Sequence, residues 1–275
     1  DWDGIDYTTE DYSEAIRIAL MAGIDMFMVS EKWKKFISLM HELAASGAVP
    51  MSRVDDAVRR ILRVKVACGL FEKPKPSKFA EAYQSGYGGS DHRDIAREAV
   101  RKSLVLLKNE NAILPLNNEG KILVLGKNAH DRGHQCGGWS VSWQGESGND
   151  HIEGGTSIWE GIKAVAPNAT LSEDGSAANP ALHDVAVIVI GETPYAEGMG
   201  DIRESDNIIV EAGSAINGLI SPLDPYGDTL VLNELHPEDL AAIRNVTKLG
   251  IPAVVVLISG RPLVVKAELA ESSAF

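Results

Sequence analysis

Cysteine is scarce in this chain, with only Cys68 and Cys136 among 275 residues. They can form at most one disulfide, and neither stands in a CxxC or Cys/His spacing that would hold a metal. Cys68 falls late in an amphipathic helical pattern, where a buried thiol is expected. Basic residues are also short: 26 Lys and Arg face 39 Asp and Glu, for a net charge of -13. That balance excludes the broad basic face with which proteins hold nucleic acid or anionic membrane. No run approaches the roughly 18 apolar residues of a membrane span, and the N-terminus has no basic segment leading into an apolar one. Nucleotide and serine-nucleophile motifs are missing too. The GKNA turn at Gly126 to Ala129 lacks both the GxGxxG and the Walker pattern, and there is no GxSxG or SxxK. What remains fits a protein with a neutral ligand.

What is present is enough apolar residue, 44%, to build one large or two ordinary domains. Ser13 to Met21 has a helical pattern closed by Gly23, and Ile24 to Ser30 reads as a short buried strand. A helix bearing Trp33, Phe36, Ile37, Met40 and Leu43 ends at Gly47, and another with Ser52 as N-cap ends at Gly69. Residues 73–95, with KPKPSKF and GYGGS, lose the apolar period and read as a linker. Beyond it, strands at Lys121 to Ala129, Val185 to Ile190 and Ala253 to Val265 alternate with helices near Thr156 to Ala166 and after Pro237. The order predicts an α/β protein with a mainly parallel sheet of at least three strands. The stretch from about 198 to 233 breaks the pattern and reads as a long excursion from a strand end. The chain starts without Met in an apparent post-strand loop and stops soon after another strand, as a piece of a longer protein would.

Candidate chemistry gathers around carboxylates. VAVIVIG runs straight into Glu192, and ligands in open α/β sheets collect beyond the carboxyl ends of strands. A second acidic group, Asp1, Asp3 and Asp6, flanks Trp2; it is either an acid-rich turn or one half of a site. Trp139, after Gly137 and Gly138, is placed in a loop facing ligand, whereas Trp143 is as readily core. Carboxylates from two places with aromatic platforms suit a sugar, whose CH faces pack on rings while its hydroxyls meet acids. Glycoside hydrolysis with a covalent intermediate needs two carboxyl groups about 5 to 5.5 Å apart. His130, His134 and Cys136 have no partner at metal spacing. Arg261, in ISGRP, is an ion-pair partner for a strand end, in a structural role.

With these residues in view, the chain resembles glycoside hydrolase family 3, the β-glucosidases and β-glucan exohydrolases. DWDGID is similar to that family's nucleophile loop. GIDMFMV and VPMSRVDDAVRRILRVKVACGLF are similar to the end of its (β/α)8 barrel, and DHRDIAREAVRKSLVLLKNENAILPL to its interdomain passage. QCGGWSVSWQG and VIVIGETPYAEGMGD resemble the second domain of its two-domain branch. The resemblance implies that 1–72 is the C-terminal part of the barrel, 73–95 the linker and 96–275 an α/β sandwich domain, both domains incomplete. It implies a retaining, exo-acting β-glucosidase or glucan exohydrolase, with Asp1 as nucleophile and Glu192 as general acid/base. Glu197 is the rival acid. Trp2 and Trp139 would sandwich the glucosyl ring. Expected ligands are β-glucosides and cello- or laminari-oligosaccharides; no cofactor, nucleic acid or membrane is implied. A homodimer and a periplasmic or secreted location are compatible with the resemblance. β-Xylosidase or β-N-acetylglucosaminidase specificity, or a non-catalytic sugar-binding module, are the alternatives.

Overall fold

A computed structural model describes residues 4–73, 75–84, 86–196 and 229–275, and divides the chain into two compact units, Asp1–Ser103 and Leu104–Phe275. The first unit is helical among its described residues. Helix α1 (Tyr12–Met21) starts at Asp11, whose carboxylate accepts the N–H of Ser13 at 2.9 Å. Its buried Ile16 and Leu20 pack with Leu43 of α2 (Trp33–Ala45) and with Val49. Helix α3 (Met51–Ala67) contributes Arg53, which donates to the carbonyl of Leu20 at 2.8 Å and to Asp25 at 2.6 Å. A cation thereby meets a carbonyl of the last turn of α1, the negative end of the helix. Gly23, Gly47 and Gly69, all at positive φ, follow the three helices as the sequence predicts.

Three local expectations need correction. Ile24 to Ser30 is not a strand, and Met26 is 77% exposed. A strand exists only through the neighbour that takes its N–H and C=O groups, and no described segment pairs with this one. Ser52 is not the N-cap of α3. Pro50 holds the extended cap geometry, leaving Ser52 within the first turn. Cys68, at the C-cap of α3 beyond its buried face, is exposed, and both cysteines are free. Helices α4 (Pro76–Tyr83) and α5 (Ser90–Ser103) complete this unit. No helix among the described residues is long and apolar enough to cross a membrane.

The second unit is built on four parallel strands: β1 (Ile122–Leu125), β2 (Thr170–Ser172), β3 (Val185–Gly191) and β4 (Ala253–Ile258), in the order β2-β1-β3-β4. Every residue of β1 and β3 is buried, because both faces are covered. Leu123, Leu125, Ile188 and Ile190 face α9 (Pro237–Thr247) through Ile243 and Val246. Val124, Val187 and Val189 face the opposite layer, where α7 (Ile158–Val165) lays Ile158 and Ile162 against them. Each fully buried aliphatic side chain contributes roughly 1.5 to 3 kcal/mol. β2, three residues long at the edge of the sheet, is a strand the sequence did not announce. α7 begins with a capping box between Ser157 and Glu160. The short helices α6 (Arg132–Cys136), α8 (Leu232–Leu235) and α10 (Lys266–Glu271) fill the connections.

Gly191 marks where β3 and β4 part. Its φ is +139°, and a Cβ there would lie 1.8 Å from the Ile258 carbonyl oxygen. A side chain would therefore push β3 and β4 apart as well as strain the backbone. Gly191→Ala in the intact protein is expected to lower the urea midpoint by the equivalent of about 3 kcal/mol or more. A midpoint within experimental error of the wild type would show that the strand exits can separate without loss.

Candidate active site

After β1 the chain crosses to β2 on one side, while β3 and β4 lie on the other. The sheet order thus reverses between β1 and β3, which opens a crevice at their carboxyl ends. Three segments meet there: 126–131 after β1, 192–196 after β3, and 259–261 after β4. A cleft of about 180 Å³ lies between the second and third of these and residues 134–138, lined by His134, Cys136, Gly138, Glu192, Tyr195 and Ser259.

Glu192 is the centre of this junction, and it is 3% exposed. Its Oε1 accepts from Arg261 Nε at 2.9 Å and pairs with Nη2 at 2.7 Å. Its Oε2 accepts from the Ser259 hydroxyl at 2.6 Å and the Tyr195 hydroxyl at 2.9 Å. The backbone is held as well: the Glu192 N–H donates to Ile258 O at 3.1 Å, and Asn128 Nδ2 donates to Glu192 O at 3.2 Å. Three hydrogen bonds and the Nη2 ion-pair contact meet two oxygens, an arrangement that suits a carboxylate as acceptor. The Tyr195 phenol is pushed up to about 12, mainly by burial and then by its bond to Glu192. Arg261 thus serves as the ion-pair partner its place after a strand predicted, and its guanidinium carbon lies 5.8 Å from the centre of the Tyr195 ring.

The tryptophan loop is seated on the same turn. At Gly138 a Cβ would stand 2.2 Å from the Tyr195 carbonyl oxygen, so only glycine lets the two segments touch. Ala196 N–H donates to Gln144 Oε1 at 2.8 Å, closing the contact from the other side. Trp139 follows with φ of +89°, an uncommon conformation for a bulky residue, and its side chain is 67% exposed. Trp143 is half-buried, with its ring centre 6.2 Å from that of Trp139. The loop start is tied down by Asp131, which accepts the N–H groups of His134 and Gly148 at 2.8 Å each. Burial pulls the His134 imidazole below its ordinary range.

The structure brings Glu192 and the glycine-tryptophan loop together. Asp1, Trp2, Asp3 and Glu197 lie outside the described residues, as does the excursion up to residue 228. Sequence reasoning missed Tyr195, Ser259, Asn128 and Gln144. The signal was available in part, since Tyr195 lies three residues after Glu192 and Ser259 two residues before Arg261, both already singled out.

Behind Glu192, the Gly191 N–H donates to Asp239 at 3.0 Å, and Lys127 Nζ lies 3.4 Å from that carboxylate and 2.6 Å from Glu238. Burial pushes the Asp239 carboxyl from 3.8 up to about 6. The folded protein therefore binds this proton more tightly than the unfolded chain does. Asp239 favours folding fully below about pH 4, and loses at most about 3 kcal/mol of that contribution as pH rises through 6. Asp239→Asn keeps an acceptor for Gly191 and removes the titration. Urea midpoints of the intact protein measured from pH 4 to 7 should fall more steeply in the wild type than in the variant; parallel curves would exclude the effect.

Comparison with known proteins agrees with this geometry. The model of the glycosyl hydrolase family 3 C-terminal domain matches residues 104–275, and that of the family's N-terminal domain matches residues 4–64. A lysosomal β-glucosidase of Dictyostelium discoideum is 31% identical over 100% of this chain and 33% of its own length. A periplasmic β-glucosidase of Salmonella typhimurium is 31% identical over 93% of this chain and 34% of its own length. Among solved structures, an exo-1,3/1,4-β-glucanase from Pseudoalteromonas superposes with a TM-score of 0.78 and 38% identity, over 96% of this chain and 30% of that one. The chain spans about a third of the length of the curated relatives it matches. With both domain models matched in order along one α/β chain, the protein belongs to glycosyl hydrolase family 3.

Proposed function

We propose that the intact protein is a β-glucosidase or exo-β-glucanase that removes terminal β-glucosyl residues by double displacement. The observation that carries the reading is the 38% identity to an exo-1,3/1,4-β-glucanase along 96% of this chain. In this reading Asp1 is the nucleophile and attacks the anomeric carbon; a second carboxyl group protonates the leaving oxygen and later activates water. Trp2 and Trp139 supply the aromatic platforms for the sugar ring, and the exposure of Trp139 beside the cleft supports its part. Cello- and laminari-oligosaccharides are the substrate class, in keeping with the linkages named for the Pseudoalteromonas enzyme. Residues 1–72 are assigned to the end of a (β/α)8 barrel and 96–275 to an α/β sandwich domain. The periplasmic and lysosomal relatives support a location outside the cytoplasm.

For the proton donor the sequence offers Glu192 and Glu197. Glu192, expected from its place directly after β3, is buried and has both oxygens engaged by hydrogen bonds from Arg261, Ser259 and Tyr195, so most of its acceptor capacity is taken up within the protein. That occupancy favours Glu197, five residues on, as the acid/base.

The test is a mechanism-based trap on the intact protein. A 2-deoxy-2-fluoro-β-glucoside with a good leaving group should accumulate as an ester on Asp1, found by peptide mass spectrometry, because the fluorine destabilises the oxocarbenium-like transition state. Azide should restore turnover to a Glu197→Gly variant. The absence of any label while the sugar still binds would replace this reading with a sugar-binding module. Faster labelling by the matching xyloside would redirect it to β-xylosidase specificity.

A further inference from the structure

We propose that Glu192 and Arg261 are a positioning pair, whose buried contact fixes the turn at residues 192–196 and hence the point from which the chain runs on to the proton donor. The inference rests on the reading above that Glu197 carries that proton. The turn has no regular secondary structure of its own. Its course is set by side chains returning to one carboxylate: Tyr195, three residues after Glu192, bonds back to Oε2, while its ring lies beneath Arg261. Ser259 joins the same oxygen and also receives the Arg261 N–H at 3.1 Å, so the exit of β4 is locked into the arrangement. Asn128 adds the exit of β1. Gly138 and Gln144 then grip Tyr195 and Ala196, which carries the order of the turn into the Trp139 loop.

A glutamine in place of Glu192 is isosteric but uncharged. With its NH₂ toward Ser259 and Tyr195, those hydroxyls must turn from donors to acceptors, and Arg261 meets a neutral carbonyl in place of a carboxylate. The turn thereby loses its charge-assisted anchor. No substrate contact is required of Glu192 or Arg261, and the pair acts through the segment it holds.

The experiment compares the intact wild-type protein with Glu192→Gln, and with the double variant Glu192→Leu, Arg261→Met, which removes both charges and so avoids a lone buried ion. Two substrates are used: cellobiose, whose departing hydroxyl needs a proton, and 2,4-dinitrophenyl β-glucoside, whose leaving group does not. Misplacement of the donor should lower kcat/KM for cellobiose by about 30-fold or more, and for the dinitrophenyl glucoside by less than about threefold. The alkaline limb of the cellobiose pH profile should persist in Glu192→Gln, because the titrating acid is still present. Hydrogen exchange at residues 193–196 should quicken in both variants, while exchange in β1 and β3 stays as in the wild type. Equal losses on both substrates would overturn the proposal by reducing the pair to a structural role. Disappearance of the alkaline limb would overturn it by making Glu192 the acid itself. Unchanged exchange at 193–196 would show that the pair does not hold the turn, and this readout stands even if the protein proves not to cleave glucosides.

Discussion

A carboxylate and a guanidinium buried side by side at the ends of three parallel strands set the terms for everything around them. Removing either ion from water costs several kcal/mol, and their attraction offsets that only where geometry is good and the remaining lone pairs are filled. Here Ser259 and Tyr195 add two hydrogen bonds to the carboxylate of Glu192, and Asn128 takes its carbonyl. Such a pair tolerates little displacement. The strand exits, the turn that follows β3 and the glycine loop pressed against it are consequently fixed relative to one another.

The sheet explains why this junction forms where it does. Parallel strands carry all their carboxyl ends to one edge, and the reversal of order between β1 and β3 leaves that edge uncovered by a crossover. Backbones approach there more closely than side chains allow. Gly191 lies against the Ile258 carbonyl and Gly138 against that of Tyr195. Below the junction, Asp239 holds the Gly191 N–H with Lys127 beside it, so the same peptide is anchored from the helical layer by a second buried carboxylate. A family of sugar-cleaving enzymes requires carboxyl groups and aromatic platforms in register, and a rigid edge of this kind can supply part of that register.

Much of the architecture was legible along the chain because its causes are local. Helices α1, α2 and α3 announce themselves by apolar spacing and by the glycines that follow them. β1, β3 and β4 do so as unbroken runs of branched aliphatic residues flanked by turns. Failures came where the cause is remote. Ile24 to Ser30 has the composition of a strand but finds no described neighbour to pair with, whereas Thr170 to Ser172 has little strand character and is made one by β1 alongside it. Cys68 has the spacing of a core residue yet lies exposed at a helix end.

The sequence by itself determined the class of fold, the order of helices and strands, and the family, because period, turn residues and long motifs are properties of neighbours in the chain. It also singled out Glu192, Arg261 and Trp139 as residues of interest. Only the tertiary structure decided what Glu192 and Arg261 are to each other. Sixty-nine positions separate them, and their pairing depends on β3 and β4 lying side by side with their exits level. What a carboxylate can do is set by the donors that surround it in space, and those donors came from the ends of two different strands, β3 and β4.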